Sequence, residues 1–312
     1  MRSTPVLLLI PLLLAGCAGP PQPPPDGTRV ANCGTEQIIE RAPQRVVSLN
    51  QHATELLLAL GLGDRLVGTA YPDDHEPPEQ VAEQYRRVPL LAEKYPSFEQ
   101  VLAADPDLVV GGYASAFDDT RGAGRQALAD SGIPTLLLSE SCADGPAGMD
   151  TLLADIRLFG EVLDLGAEAE RLAAQITGRV RAVEQRIAGR EPVDVFVYDS
   201  GEPAAMTLGR DGVGNDALRR AGGANVFGDV PGGFPDVSWE QVAAREPAAI
   251  VLVDYLGAPV GTKRDHLRGH PLVGRTPAAR ADRFSTIPLV ELTEGIRFPD
   301  AVERLAADLH GA

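Results

Sequence analysis

Ser97, Phe98, Glu99, Gln100 and Val101 recur, position for position, as Ser238, Trp239, Glu240, Gln241 and Val242. Each copy runs on through an alanine (Ala103, Ala244) and a proline (Pro106, Pro247) into an apolar stretch, Leu108 to Val110 in the first and Ile250 with Val251 in the second. A serine hydroxyl ahead of such a segment accepts a hydrogen bond from an early backbone N–H of a helix, and a carboxylate in the first turn meets the positive end of the helix dipole. The pattern predicts, in each copy, a capped short helix, a break near the proline and a buried strand. One such unit at an equivalent place in each half implies two lobes of similar fold.

Other reactive residues are few. Arg2 and the apolar run from Val6 end in Leu14, Ala15, Gly16 and Cys17, the order of a cleaved lipoprotein signal over residues 1–16, with Cys17 taking a lipid on its thiol. That run is shorter than the roughly 20 apolar residues needed to span a bilayer. The histidines are His52, His75, His266, His270 and His310. His266 and His270 stand four apart, but Gly269 and Pro271 argue against a helical ligand pair, and His75 beside Asp73, Asp74 and Glu76 reads as a solvated acidic loop. No metal site is expected. The chain lacks a Gly-x-Ser-x-Gly elbow, a phosphate loop ending in Lys-Ser or Lys-Thr, and a His-Glu-x-x-His motif, while Gly209, Gly212 and Gly214 miss the dinucleotide spacing. No catalytic residue is assigned, and the expectation is a binding protein, not an enzyme.

The elements that must position the repeat can be followed along the chain. Prolines at 20, 21, 23, 24 and 25 favour extended polyproline conformation, so residues 17–44 read as a Pro-rich tether and N-terminal segment. With 44% hydrophobic residues, the remainder can build the cores of two ordinary domains, and a net charge of −16 argues against nucleic acid as a partner. Cys33 and Cys142 are the remaining cysteines. In an oxidising compartment they suggest one disulfide tying the N-terminal segment to the first lobe, with two buried free thiols as the alternative.

Residues 45–150 form the predicted N-terminal lobe: strands at Val46 to Leu49, Leu66 to Thr69, Leu108 to Val110 and Thr135 to Leu138 alternate with helices at Ala53 to Leu60 and Gln126 to Asp130. Leu172, Ile176, Val180, Val183 and Ile187 recur at helical spacing, placing a helix about 32 Å long over Ala167 to Ile187 within connector helices at 151–190. The C-terminal lobe, 191–312, echoes the first with strands at Val193 to Tyr198 and Ile250 to Val253, helices near Asn215 to Ala221 and Trp239 to Ala244, and a last helix from about Pro299. The fold class is therefore α/β: two similar lobes of mostly parallel strands joined by a long backbone helix, with a ligand cleft between them.

Further marks are Arg45, Val46, Val47, Ser48 and Leu49, then Thr54, Glu55 and Leu56, then Leu60, Gly61, Leu62, Gly63, Asp64 and Arg65. Asn215 to Ala217, Ala221 to Gly223, Asn225 to Phe227, and His270, Pro271 and Leu272 complete them. Together they resemble the periplasmic binding proteins of the helical-backbone class, which serve iron-siderophore, haem and cobalamin ABC importers. The resemblance covers nearly the whole mature chain. It implies that Glu99 and Glu240 dock onto arginines of a permease dimer driven by its ATPase, a use consistent with carboxylates repeated on two lobes.

The resemblance also puts a small-molecule ligand in the cleft, near strand ends. Candidate wall residues are Asn50, Gln51, Tyr71, Tyr95 and Tyr113 from the first lobe, and Tyr198, Arg210, Tyr255 and Arg297 from the second. Tyrosines offer flat apolar area and arginines could pair with ligand carboxylates. The cargo expected first is a ferric siderophore or similar bulky metal chelate, then cobalamin or haem. Bare zinc or manganese, or an extracellular hydrolase or adhesive lipoprotein, are the remaining alternatives. The expected protein is a monomer on the outer face of the cytoplasmic membrane, held by its lipid anchor, with no cofactor beyond its cargo.

Overall fold

The computed structural model describes residues 27–73, 76–118, 120, 123–255 and 259–311. The signal segment, Cys17, most of the tether and His75 lie outside the described residues. No described helix is long and apolar enough to cross a membrane.

The described chain opens with an antiparallel hairpin absent from the sequence reading, β1 (Thr28–Asn32) and β2 (Thr35–Ile39). The N-terminal lobe follows with β3 (Val46–Ser48), α1 (Gln51–Ala59), β4 (Leu66–Ala70), α2 (Glu79–Tyr85) and β5 (Leu90–Ala92). It continues through α3 (Phe98–Ala103), β6 (Leu108–Gly111), α4 (Arg125–Asp130) and β7 (Thr135–Leu137). Its five strands form one wholly parallel sheet in the order β5-β4-β3-β6-β7.

The hairpin finishes the β7 edge of that sheet with side chains. The Asn32 amide donates to the Leu137 carbonyl (2.9 Å) and accepts from its N–H (2.8 Å), and the Gln37 amide does the same for Thr135 (2.5 and 3.1 Å). Backbone groups that would lie open on an edge strand are thereby paired. A disulfide between Cys33 and Cys142, with Cα atoms 5.5 Å apart, fastens the hairpin turn to the segment after β7.

Two helices link the lobes, α5 (Met149–Val162) and α6 (Gly166–Arg186). The predicted stripe of α6 is buried at Leu172, Ile176, Val180 and Val183, each such side chain stabilising by about 1.5–3 kcal/mol. The same helix reaches the second lobe through Arg179, bonded to Asp300 (2.6 Å) and Glu303 (2.7 Å), and through Glu184, bonded to Arg220 (2.8 Å).

The C-terminal lobe holds β8 (Val193–Ser200), β9 (Ala205–Thr207), α7 (Val213–Arg220), β10 (Gly223–Asn225), β11 (Asp236–Val237) and α8 (Trp239–Ala244). Then come β12 (Ala249–Asp254), α9 (Val260–Gly269), α10 (Pro277–Arg280), β13 (Phe284–Pro288) and α11 (Phe298–His310). Its sheet runs β11-β9-β8-β12-β13, with β10 also on β8. β8, β10, β12 and β13 are parallel, whereas β9 and β11 are antiparallel additions. One apolar core runs from α1 through α5 and α6 to α7 and α11, so the helical back of both lobes is continuous.

The repeat forms the predicted unit in both lobes. Ser97 caps α3 and Ser238 caps α8, each hydroxyl accepting from the N–H of the glutamine three residues on, while that glutamine accepts from the serine N–H. This reciprocal box satisfies two otherwise orphaned donors per helix.

Candidate ligand cleft

The parallel strands of both sheets end toward one junction. His52 lies just beyond β3 and packs against Gly295, beyond β13, and Glu140, beyond β7, bonds to Glu294. A tyrosine-lined wall stands on the first-lobe side. Tyr71 ends β4 in the left-handed region (φ 52°), a conformation costly for a bulky side chain and typical of sites that clamp ligands. Its ring stacks on Tyr95, with centroids 4.7 Å apart, and Lys94 Nζ lies 4.8 Å from the Tyr71 ring centre.

Asn50 sets the geometry of this wall. It is 0% exposed, its carbonyl oxygen accepts from the N–H groups of Gly112 (2.8 Å) and Tyr113 (3.2 Å), and its amide donates to the Tyr95 hydroxyl (3.3 Å). Tyr95 also bonds Ser115 (2.8 Å), and burial raises its hydroxyl above the ordinary tyrosine range. Asn50, expected to touch ligand, is instead a support behind two tyrosines. The loop after β6 needs glycine here, because a Cβ on Gly112 would overlap the His52 imidazole.

Tyr113 tilts against His52 with ring centres 4.5 Å apart and donates to Asp73 (3.2 Å). Burial, then the nearby Asp73 and Glu140 carboxylates, push its hydroxyl well above the usual range. Burial lowers His52 to about 4, so at neutral pH its contact with Asp73, at 3.9 Å, is not an ion pair.

The second-lobe candidates fare unevenly. Tyr255 closes β12 with Lys263 Nζ 4.2 Å from its ring centre, and that lysine donates to the Val253 carbonyl. Tyr198, in contrast, belongs to the C-terminal lobe's own core. Strand alternation sends Val195 and Val197 to the helical back but Phe196 and Tyr198 to the opposite face, against Trp239 and His266. Its hydroxyl, raised to about 12 by burial, donates to the Gly201 carbonyl.

Neither arginine stands ready for a ligand carboxylate. Arg297 is 7% exposed and forms a two-pronged pair with Glu55 (2.8 and 2.6 Å), which Gln51 also approaches (3.0 Å). Arg210 pairs with Asp211 (2.8 Å) and lines a separate depression of about 370 Å³ between the starts of α5 and α7. Both were expected in the wall, and the acidic partners that hold them went unforeseen. So did His52, Asp73, Ser115 and Lys263 as neighbours of the tyrosines, although Asn50 to Glu55, a polar run opening a helix of leucines, carried the signal.

Glu99 and Glu240 stay on the surface in the first turns of α3 and α8. Their own backbone N–H groups, then the capping serines, hold both carboxyls below the usual range, so both are ionised at neutral pH. Among the described residues, no group of three or more His, Cys, Asp or Glu is placed to hold a metal ion.

Two α/β lobes on a shared helical back, with strand ends meeting at a cleft, are the architecture of a substrate-binding protein of an ABC importer. The periplasmic binding protein family model matches residues 46–289, and the chain belongs to that family. It is 25% identical to the uncharacterized ABC transporter substrate-binding lipoprotein YvrC of Bacillus subtilis, over 97% of this chain and 95% of that one. A vitamin B12-binding protein of Yersinia pestis is 28% identical over 68% of this chain and 70% of its own. A periplasmic binding protein from Veillonella parvula superposes with a TM-score of 0.84 at 25% identity, covering 91% and 98% of the two chains.

Proposed function

We propose that the cargo is a bulky, near-neutral metal chelate, a corrinoid or a ferric hydroxamate siderophore, passed to a permease on which Glu99 and Glu240 dock. The supporting observation is the engagement of Arg297 by Glu55, which among the described residues leaves the tyrosine wall the single ammonium of Lys94, over the Tyr71 ring, where a carboxylate-rich ligand would ask for a cluster of cations. Stacked Tyr71 and Tyr95 suit the flat apolar faces of a large chelate. The vitamin B12 name carried by relatives puts a corrinoid first among the chelates to try. Lipidation at Cys17 would keep the protein, as a monomer, at the outer face of the membrane.

Thermal unfolding of the full-length protein against cyanocobalamin, a ferric hydroxamate, haem, ferric citrate, zinc and manganese tests the reading. Cyanocobalamin or the hydroxamate at 100 times its dissociation constant should stabilise by about 2.7 kcal/mol. A rise with haem or ferric citrate alone overturns the near-neutral assignment, and a rise with bare metals alone overturns the chelate.

A further inference from the structure

The two lobes meet through a reciprocal exchange. Glu140 N–H donates to Oε2 of Glu294, and Glu294 N–H donates to Oε2 of Glu140, both at 2.8 Å. The other Glu140 oxygen accepts from Val213 N–H at the start of α7, also at 2.8 Å. Alongside, Asp155 of α5 accepts from the N–H and the hydroxyl of Ser139, each at 2.6 Å.

Glu294 is 0% exposed and Asp155 is 2% exposed, and the consecutive N–H groups of Ser139 and Glu140 hold the two carboxyl groups in one buried cluster. Oε1 of Glu294 receives no N–H or O–H from any described residue. Two ionised carboxylates in buried contact repel, whereas one proton between them makes an O–H to oxygen bond of the contact. We propose that the lobe junction is a proton-binding site, in which Glu294 carries a proton, donates it in a hydrogen bond to Asp155, and so stays in place to receive the Glu140 backbone.

The surrounding charged groups leave this proton in place. From the cleft wall comes the Tyr113 hydroxyl, and from α1 the neutral His52 against Gly295. Arg297 is held by Glu55, Arg210 by Asp211, and Arg219 and Arg220 by Asp216, so each nearby arginine serves another carboxylate. Burial pushes Glu140 up to about 7, Asp155 above its usual range, and Glu294 well above it, with Asp155 and Glu140 adding to the last.

Carboxyls raised on folding bind more protons in the folded than in the unfolded chain between the two values. Their contribution to stability is complete below the ordinary value of 4.5 and is lost as pH rises through about 7 and beyond. The junction is thus tightest in mild acid. The junction proton is independent of the cargo, so its absence would leave the ligand reading untouched.

The test is the pH dependence of thermal unfolding for the full-length protein and for Glu294→Gln, whose amide donates to Asp155 at every pH. The melting temperature of the wild type should drop relative to the variant between about pH 5 and pH 8, by several degrees. Parallel profiles overturn the proposal. Infrared spectra of the wild type provide a second readout should the variant fail to fold: a protonated carboxyl band should persist at about pH 8, above the range in which Glu140 holds a proton, and its absence overturns the proposal.

Discussion

The two lobes agree where they present Glu99 and Glu240 and disagree where they face the cleft. α3 and α8 share a capping box, an exposed first-turn glutamate and a following buried parallel strand. At the strand ends the N-terminal lobe turns Tyr71, Tyr95 and Tyr113 into a wall, whereas the C-terminal lobe folds Tyr198 and Trp239 into its own core. The repeated part suits a partner that is itself two-fold, and the unrepeated part suits a ligand that has no such symmetry. Duplication therefore marks the face proposed to meet the transporter more plainly than it marks the proposed pocket.

That contrast can be broken by experiment. Replacing Glu99 and Glu240 together by Arg should abolish uptake while ligand affinity stays unchanged, and each single change should cost a comparable share of uptake. Loss of affinity, measured by titration of whichever chelate stabilises the protein, would put these residues in the binding surface and dissolve the distinction. The Glu55 to Arg297 pair belongs to neither lobe alone. Glu55→Ala removes the carboxylate that the buried Arg297 guanidinium grips with two hydrogen bonds and should destabilise by about 3–5 kcal/mol in urea unfolding. A much smaller loss would mean that the junction adds little to the continuous core. The smallest effect sharpens the likeness: Ser97→Ala and Ser238→Ala should each cost about 1 kcal/mol, and unequal losses would show that the two caps have diverged in energy.

What was legible in the sequence is what short-range rules dictate. The capped helices rest on serine and glutamine three residues apart, and α6 on an apolar spacing of three and four, so both were readable without a partner. The hairpin was not, because its support comes from Asn32 and Gln37 pairing with a strand about a hundred residues away. The antiparallel β9 and β11 have three and two residues, too few to show a period. Glu140, Asp155 and Glu294 resemble ordinary solvent-facing acids until the fold buries them together. Arg297 looked available for a ligand for the same reason, since its partner lies 242 residues earlier. Tyr198 was misplaced by strand parity, which depends on which sheet face meets the cleft.

The amide-sealed edge of β7 also imposes an order of events. An exported chain emerges N-terminus first, yet the hairpin's partners, Thr135, Leu137 and Cys142, trail it by about a hundred residues; Cys33 and Cys142 are 109 apart. During that interval Cys33 waits for Cys142, and Asn32 and Gln37 have no strand to close. In a chain delivered N-terminus first, the edge most exposed to mispairing with a neighbouring chain is therefore among the last parts of the first lobe to be secured.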